Sequence, residues 1–265
     1  MKNSIKYLKL LGLCFTLLLI SSCSDDGGDT DEISEVQESK IKKISFDNGD
    51  EIESWEFNYD TDGLVTTIAN VYDGGSPEMI TYDYSKQGEL VITRGSSPTI
   101  YAINGQGRIT KEYWNEEKTE WAAFEYDSAG FLVKLIEHYG NTDYLKFANT
   151  IINGNITNRI RYQDDGVTVR EDRVFSYTIA DNKNDIPQVF TVDSQWRNTG
   201  GFYGVQSKKL ASSYVRKLTS DPSSSFGVTF GYTFDDKNRV VTQTKNGTGS
   251  GGSFSESISY TYYEE

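Results

Sequence analysis

The chain is poor in the residue types that carry most nucleophilic and metal chemistry. Its 265 residues include two cysteines and one histidine. Cys14 falls in an apolar N-terminal run and Cys23 follows that run, so the remainder of the chain has no thiol for disulfides, nucleophilic attack or metal binding. A Ser-His-Asp arrangement would have to use His138, and sites built from several histidines are excluded. We expect His138 to be an ordinary strand residue.

Basic charge is also scarce. There are 26 Lys and Arg against 39 Asp and Glu, for a formal net charge of -13. This balance argues against nucleic acid, or an anionic membrane surface, as a partner for a basic patch.

Long apolar runs are lacking as well. The run from Leu10 to Ile20 is too short to cross about 30 Å of hydrocarbon as a helix.

Residues 1–22 have the features of a secretory leader. Lys2, Lys6 and Lys9 precede the apolar run, which ends in Ile20-Ser21-Ser22-Cys23. The ending resembles the lipobox of bacterial lipoproteins, in which the cysteine is acylated and becomes the mature N-terminus. The resemblance implies that Cys23 is lipidated and anchors the chain to the outer membrane. Cleavage would remove three lysines and no acidic residue, taking the formal charge from -13 to -16. The alternative is an ordinary secretory signal followed by a chance cysteine.

Residues 23–39 are predicted to be the lipidated cysteine followed by a flexible tether. The segment is rich in Asp, Glu, Gly and Ser, and too polar to bury enough apolar surface to offset its ordering entropy. Acidic residues directly behind the cysteine resemble the export signal that sends Bacteroidota lipoproteins to the outer cell surface. We therefore expect a lipid-anchored outer-membrane protein displayed on the cell surface. The alternative is an ordinary polar linker that carries no export signal.

Residues 40–265 show a period of two. Trp55, Phe57 and Tyr59 alternate with Glu56 and Asn58, and the aromatic and aliphatic residues of 226–234 alternate with Gly and Thr. Such alternation predicts half-buried strands whose aromatic rings point inward. No helix is predicted beyond the leader, and the stretch 206–215 is ambiguous.

A repeated turn joins the strands. The pattern is aromatic, any residue, aromatic, Asp, two residues, Gly, and it occurs at 57–63 and 124–130, with degenerate copies at 82–88, 101–107 and 232–238. Asp can bond the amides ahead of it, and Gly or Asn can take positive φ, so each copy predicts a hairpin. Asp60-Thr61-Asp62-Gly63 lacks the later glutamate of a calcium loop and is interpreted as such a turn.

These repeats resemble the YD-type repeats of bacterial surface proteins. Together with the lipobox and the segment 201–210, they resemble a Bacteroidota lipoprotein domain of unknown function with a porin-like fold. The resemblance implies a β-barrel-like meander over residues 40–265 and no established activity. Lys111, Lys134 and Lys146 fall within predicted strands, and a charge on a lipid-facing strand costs about 2–4 kcal/mol at mid-bilayer. We therefore expect an all-β antiparallel meander of about 12–15 strands curled into a soluble barrel-like sheet.

Two groups of aromatic residues are candidate ligand-binding surfaces. Trp114 and Trp121 flank a predicted hairpin loop, where they could form a glycan platform or a cross-strand pair that stabilises the hairpin. Trp196, Phe202 and Tyr203 border a glycine-rich loop, which could form a second surface or fold back on the barrel mouth. No catalytic residue, metal site or cofactor is predicted.

The function predicted from these observations is a non-catalytic, lipid-anchored domain that binds a glycan or a protein partner. One alternative is a structural subunit of an envelope complex. Another is a glycoside hydrolase that uses carboxylates alone, since 39 acidic residues provide many pairs.

Overall fold

The computed structural model describes residues 40–187, 197, 199–221, 225–249 and 252–264. Cys23, the leader, the tether and Trp196 lie outside the described residues. Sixteen strands form one antiparallel sheet in which each strand pairs with the next, and β1 pairs with β16 to close a barrel. The strands are β1 Ile41–Asp47, β2 Ile52–Tyr59, β3 Val65–Tyr72, β4 Glu78–Asp83, β5 Glu89–Arg94, β6 Ser97–Ile103, β7 Ile109–Tyr113, β8 Trp121–Tyr126, β9 Leu132–Tyr139, β10 Thr142–Ile152, β11 Asn155–Tyr162, β12 Val169–Asp181, β13 Lys209–Leu218, β14 Phe226–Phe234, β15 Val240–Gly249 and β16 Gly252–Tyr262.

The all-β meander is confirmed, but its strand count of sixteen exceeds the predicted 12–15. Strands such as β11 and β12 carry arginine and glutamate at inward positions, which hides the apolar alternation by which strands are recognised. The ambiguous stretch 206–215 leads into β13, which begins at Lys209. Among the described residues, no helix has the length and apolarity needed to cross a membrane.

Many aromatic rings of the strands face the barrel interior, as the alternation predicts, with Trp121 on the outer face as an exception. Trp55 and Phe57 are buried, while Glu56 and Asn58 between and beside them are exposed. The same alternation occurs in β14, where Val228 is buried and its neighbours are not. Burying these side chains removes apolar surface from water and provides the main stabilisation of the sheet.

The outer face of the barrel carries many polar side chains, together with exposed apolar ones such as Met79, Val174 and Val215. Around the seam between β1 and β16, small hydroxyl side chains pair across three strands, with Ser259 opposite both Ser45 and Thr242. Lys111 and Lys134 also lie on this face, opposite Ala123 and Glu125. Lys146 also lies within a strand, as predicted, in β10. A register shift at this residue turns its Nζ toward Glu137 and Asp164, which lie 3.2 and 2.8 Å away.

The predicted turns are confirmed and lie together at one end of the barrel, named here the closed end. In the turn 127–131, the Asp127 carboxylate accepts hydrogen bonds from the amides of Ala129 and Phe131, at 3.0 and 2.9 Å. Gly130 adopts a φ of +89°, which a residue with a Cβ rarely takes. Equivalent turns start at Asp60, Asn104 and Asp235.

In six hairpins a tyrosine side chain, named here the tyrosine latch, bonds the two strands at the end away from the hairpin loop. In each, a tyrosine hydroxyl near the end of the second strand donates to a main-chain carbonyl near the start of the first, over 2.6–2.9 Å. The phenol thereby satisfies a carbonyl near the sheet end, and a net hydrogen bond of this kind contributes about 1 kcal/mol. The latch tyrosines are Tyr59, Tyr84, Tyr126, Tyr177, Tyr232 and Tyr262.

The latch predicts cooperative alkaline unfolding. Burial raises the pKa of all six phenols above the ordinary value of 10.0, to about 12 for Tyr177. The folded state therefore holds these protons more tightly, so their contribution to stability is intact below about pH 10 and is lost as the pH rises through the folded pKa. Tyrosinate absorbance, recorded together with circular dichroism, should show these phenols ionising only as the sheet signal disappears. Ionisation of the six latch tyrosines near pH 10 with the sheet intact would contradict this.

Candidate functional site

The closed end of the barrel is filled by the segment 199–208, which precedes β13. Main-chain hydrogen bonds fix it to the turns: Ile109 donates to the carbonyl of Phe202 at 2.8 Å, and Val205 donates to that of Gly130 at 2.9 Å. The amide of Lys208 donates to the carbonyl of Gly154 at 2.9 Å. The segment is thus held on several sides and covers the core from this end.

Phe202 and Tyr203 belong to the core. Phe202 is 4% exposed and stacks on Tyr82 with ring centroids 5.5 Å apart, while Tyr203 is 3% exposed and packs against Phe124 at 5.1 Å. Rings buried to this degree offer no face to a sugar. These positions agree with the alternative in which the loop folds back on the barrel mouth. Trp196, the third member of the predicted surface, lies outside the described residues.

Trp114 and Trp121 lie on opposite faces of the sheet. The hairpin that joins β7 to β8 is present, but its register places Trp121 opposite Tyr113, so Trp114 points to the other side. The interpretation as a cross-strand aromatic pair is therefore wrong, because the loop length sets a register that separates the two rings. They cannot form one flat platform.

Trp121 belongs to a group on the outer face. Its ring stacks on His138 with centroids 3.8 Å apart, and the Nζ of Lys111 lies 4.2 Å from the ring centroid. Nδ1 of His138 is 2.6 Å from Oδ1 of Asp143, a hydrogen bond across the β9–β10 hairpin. The group joins strands β7 to β10 by packing and by one polar contact.

Trp114 belongs instead to an aromatic rim at the end of the barrel opposite the closed end. Its ring lies 5.0 Å from that of Tyr139, which lies 6.3 Å from Tyr144. Trp114 is 38% exposed and Tyr139 is 44% exposed, so both present ring surface to solvent. This end, named here the charged end, also carries the hairpin loops 48–51, 73–77 and 163–168.

The inner wall near the charged end carries three arginines in register. Arg159 on β11 is directly opposite Arg173 on β12, and Arg173 is directly opposite Arg216 on β13. Asn149 precedes this arginine row on β10, and Phe226 follows it on β14. Like charges placed directly opposite each other destabilise a sheet, so this row requires an explanation.

The Glu171 carboxylate contacts two arginines of the row. Oε1 of Glu171 lies 2.6 Å from an Nη of Arg173, and its Oε2 lies 3.4 Å from Nε of Arg216. Arg159 donates from Nε to Oδ1 of Asn149 at 2.8 Å, and its guanidinium lies 4.3 Å from the ring centroid of Phe147. Burial, followed by the charges of Arg173 and Arg161, lowers the pKa of Arg159 to about 9.

Several other charged side chains of this wall form ion pairs. Lys245 lies 2.6 Å from Glu256, Arg94 lies 2.8 Å from Glu78, and Lys146 bridges Glu137 and Asp164. Positive charge is therefore concentrated on β11 to β13, inside a chain whose overall charge is strongly negative. Sequence reasoning missed this cluster, although arginines spaced two apart at 159 and 161 were a signal of one charged strand face.

A cavity of about 530 Å³ lies at the closed end. Its lining includes the cations Lys40, Arg108 and Lys183, together with Asp185 and Gln206. Burial raises the pKa of the Asp185 carboxyl. Among the described residues, no group of three or more His, Cys, Asp or Glu side chains is placed to hold a metal ion.

Comparison with known proteins identifies a structural neighbour. No family model and no curated protein matches the chain. The fold is similar to the crystal structure of a porin-like protein from Bacteroides uniformis, with a TM-score of 0.64 and 16% sequence identity. The match covers 84% of this chain and 98% of that one. At this identity the likeness shows the fold alone, so the chain has a porin-like β-barrel fold.

Proposed function

We propose that the chain is a lipid-anchored lipoprotein of the outer-membrane surface, whose barrel lies in water and binds a ligand without catalysing a reaction. The observation that carries this proposal is the distribution of side chains across the sheet. Aromatic and aliphatic side chains fill the core toward the closed end, and serine, threonine and lysine side chains interrupt the outer face, which also carries exposed apolar residues such as Val174 and Val215. A membrane barrel requires a continuous apolar outer band about 25 Å tall, which the outward lysines and hydroxyl side chains break.

The filled interior also favours a binding role over conduction. The segment 199–208 is fixed across the closed end by main-chain hydrogen bonds, and its two aromatic rings are part of the core. A pore requires a continuous aqueous path, which this packing opposes. A lipid at Cys23 would then be the membrane attachment, with residues 24–39 as the tether.

The charged end is where we place the ligand. Trp114 and Tyr139 present exposed ring surface there, beside charged inner-wall side chains. Exposed aromatic faces next to polar groups suit the apolar face and the hydroxyls of a sugar ring. A glycan is therefore the ligand class that we favour over a protein partner.

Three measurements test the proposal on the full chain. Fatty-acid labelling should mark the wild type and not Cys23→Ser, and protease added to intact cells should remove the barrel. A glycan array probed with the lipidated protein should show binding that Trp114→Ala weakens at least tenfold, while Trp121→Ala on the outer face leaves it unchanged. Absence of label, protection from protease or an empty array would each count against the corresponding part.

A further inference from the structure

We propose that the arginine row is a binding site for a doubly charged tetrahedral oxyanion, a phosphate monoester group carried by a ligand that enters the charged end. This inference rests on the proposed function for the identity of the ligand as a glycan, but not for the binding of the oxyanion group itself. It deepens that function by naming the group the barrel recognises.

The charge balance of the row favours an anion. Arg159, Arg173 and Arg216 are consecutive cross-strand partners, and Arg161 faces Glu171 one position further along the wall. Four guanidinium groups thus lie around the Glu171 carboxylate, which contacts Arg173 and Arg216. Elsewhere on the same wall, Lys245 with Glu256 and Arg94 with Glu78 show local neutrality. An arriving dianion would relieve most of the excess, whereas a monoanion would relieve less of it.

The solvent exposure of the arginine side chains increases along the row, from Arg159 to Arg216. Arg159 is buried, the Arg173 side chain is 18% exposed and the Arg216 side chain is 36% exposed. Nε of Arg216 is buried and makes no hydrogen bond to the described residues, its nearest Glu171 oxygen being 3.4 Å away. An oxyanion can therefore reach Arg216 and Arg173, with Arg159 adding charge from behind. Planar guanidinium groups suit such oxyanions because they can donate two parallel hydrogen bonds.

An aromatic wall adjoins the most exposed arginine. Phe226 is the cross-strand partner of Arg216, and its ring stacks on that of Phe254 with centroids 5.6 Å apart. Two glycines of β15 make room for these rings: a Cβ at Gly247 would overlap the ring of Phe254, and one at Gly249 would lie 2.6 Å from Phe226. Flat rings beside a guanidinium provide an apolar surface for the body of the molecule that carries the oxyanion.

Binding of the isolated ions tests the inference. Calorimetric titration of the lipidated full chain with sodium sulfate and with sodium phosphate, at an ionic strength held constant with chloride, should show saturable binding. Arg216→Gln should weaken it at least tenfold. Arg94→Gln is the matched control, since it removes an exposed inner-wall arginine that is paired with Glu78, and binding should be unchanged. Arg216→Lys, which keeps the charge and loses the planar fork, should fall between the two.

The outcomes separate the possibilities. A signal that chloride reproduces, or equal binding by Arg216→Gln in a protein with an unchanged circular dichroism spectrum, would overturn the site. Lowering the pH from 7.5 to 5 should weaken phosphate binding and leave sulfate binding unchanged, because inorganic phosphate changes from mainly dianion to monoanion over this range whereas sulfate remains a dianion. If the ions bind and the glycan array is empty, the oxyanion site stands and the glycan assignment fails. If neutral glycans bind and the ions do not, the glycan assignment stands and the oxyanion site fails.

Discussion

Replacing Glu171 by glutamine should lower the free energy of unfolding by about 3–5 kcal/mol, the usual cost of removing one partner of a buried ion pair. The carboxylate is 5% exposed and contacts both Arg173 and Arg216. Without it, three opposed arginines would repel one another in a region of limited solvent access. Urea unfolding followed by circular dichroism measures the change.

Glu78→Gln is the matched control for this substitution. Glu78 also pairs with an arginine on the inner wall, but both partners are about half exposed, so the loss should be about 0–1 kcal/mol. Sulfate should restore part of the stability lost in Glu171→Gln, because the more positive row would bind the oxyanion more tightly. Equal stability of the two variants would show that Glu171 does not offset the charge of the row.

Gly204→Ala should destabilise the segment that fills the closed end. Gly204 has a φ of +89°, which costs a residue with a Cβ about 1–2 kcal/mol. The added Cβ would also lie 2.5 Å from the carbonyl oxygen of Gly130 and 2.9 Å from the ring of Tyr126. Because backbone cannot yield as a flexible side chain can, overpacking should add about 1–3 kcal/mol.

Gly201→Ala isolates the backbone part of this effect. Gly201 has a φ of +77°, but a Cβ there meets nothing within 4 Å. Gly201→Ala should therefore lower the free energy of unfolding only by the cost of placing an alanine in the left-handed conformation, about 1–2 kcal/mol. Hydrogen exchange of the Val205 amide, which donates to Gly130, should accelerate more in Gly204→Ala than in Gly201→Ala. Equal effects in the two variants would mean that the segment is not packed against the turn.

The local features of this fold were readable from the chain. The alternation around Phe57 predicts a half-buried strand, and the Asp127 to Gly130 pattern predicts a hairpin turn, because each depends on residues close in sequence. The features that were not predicted depend on register between strands. The separation of Trp114 from Trp121 follows from how one loop sets the pairing of β7 with β8.

The arginine row illustrates the same limit more strongly. Arg159, Arg173 and Arg216 span 57 sequence positions and meet only because three strands pair in one register. No local pattern contains that information. The burial of Phe202 and Tyr203 is a tertiary outcome as well, since a glycine-rich segment can as easily lie on the surface as enter a barrel end.

A cysteine placed on the outer face of the barrel reports whether that face lies in water. The folded body contains no cysteine, so Ser259→Cys on the exposed outer face of β16 introduces a unique thiol. In membrane fragments carrying the full lipoprotein, a membrane-impermeant maleimide should label this cysteine as fast as one placed in the exposed loop residue Asn48. Protection of the Ser259→Cys thiol until detergent is added, with Asn48→Cys labelled throughout, would show that lipid covers the sheet and that the outer face does not lie in water.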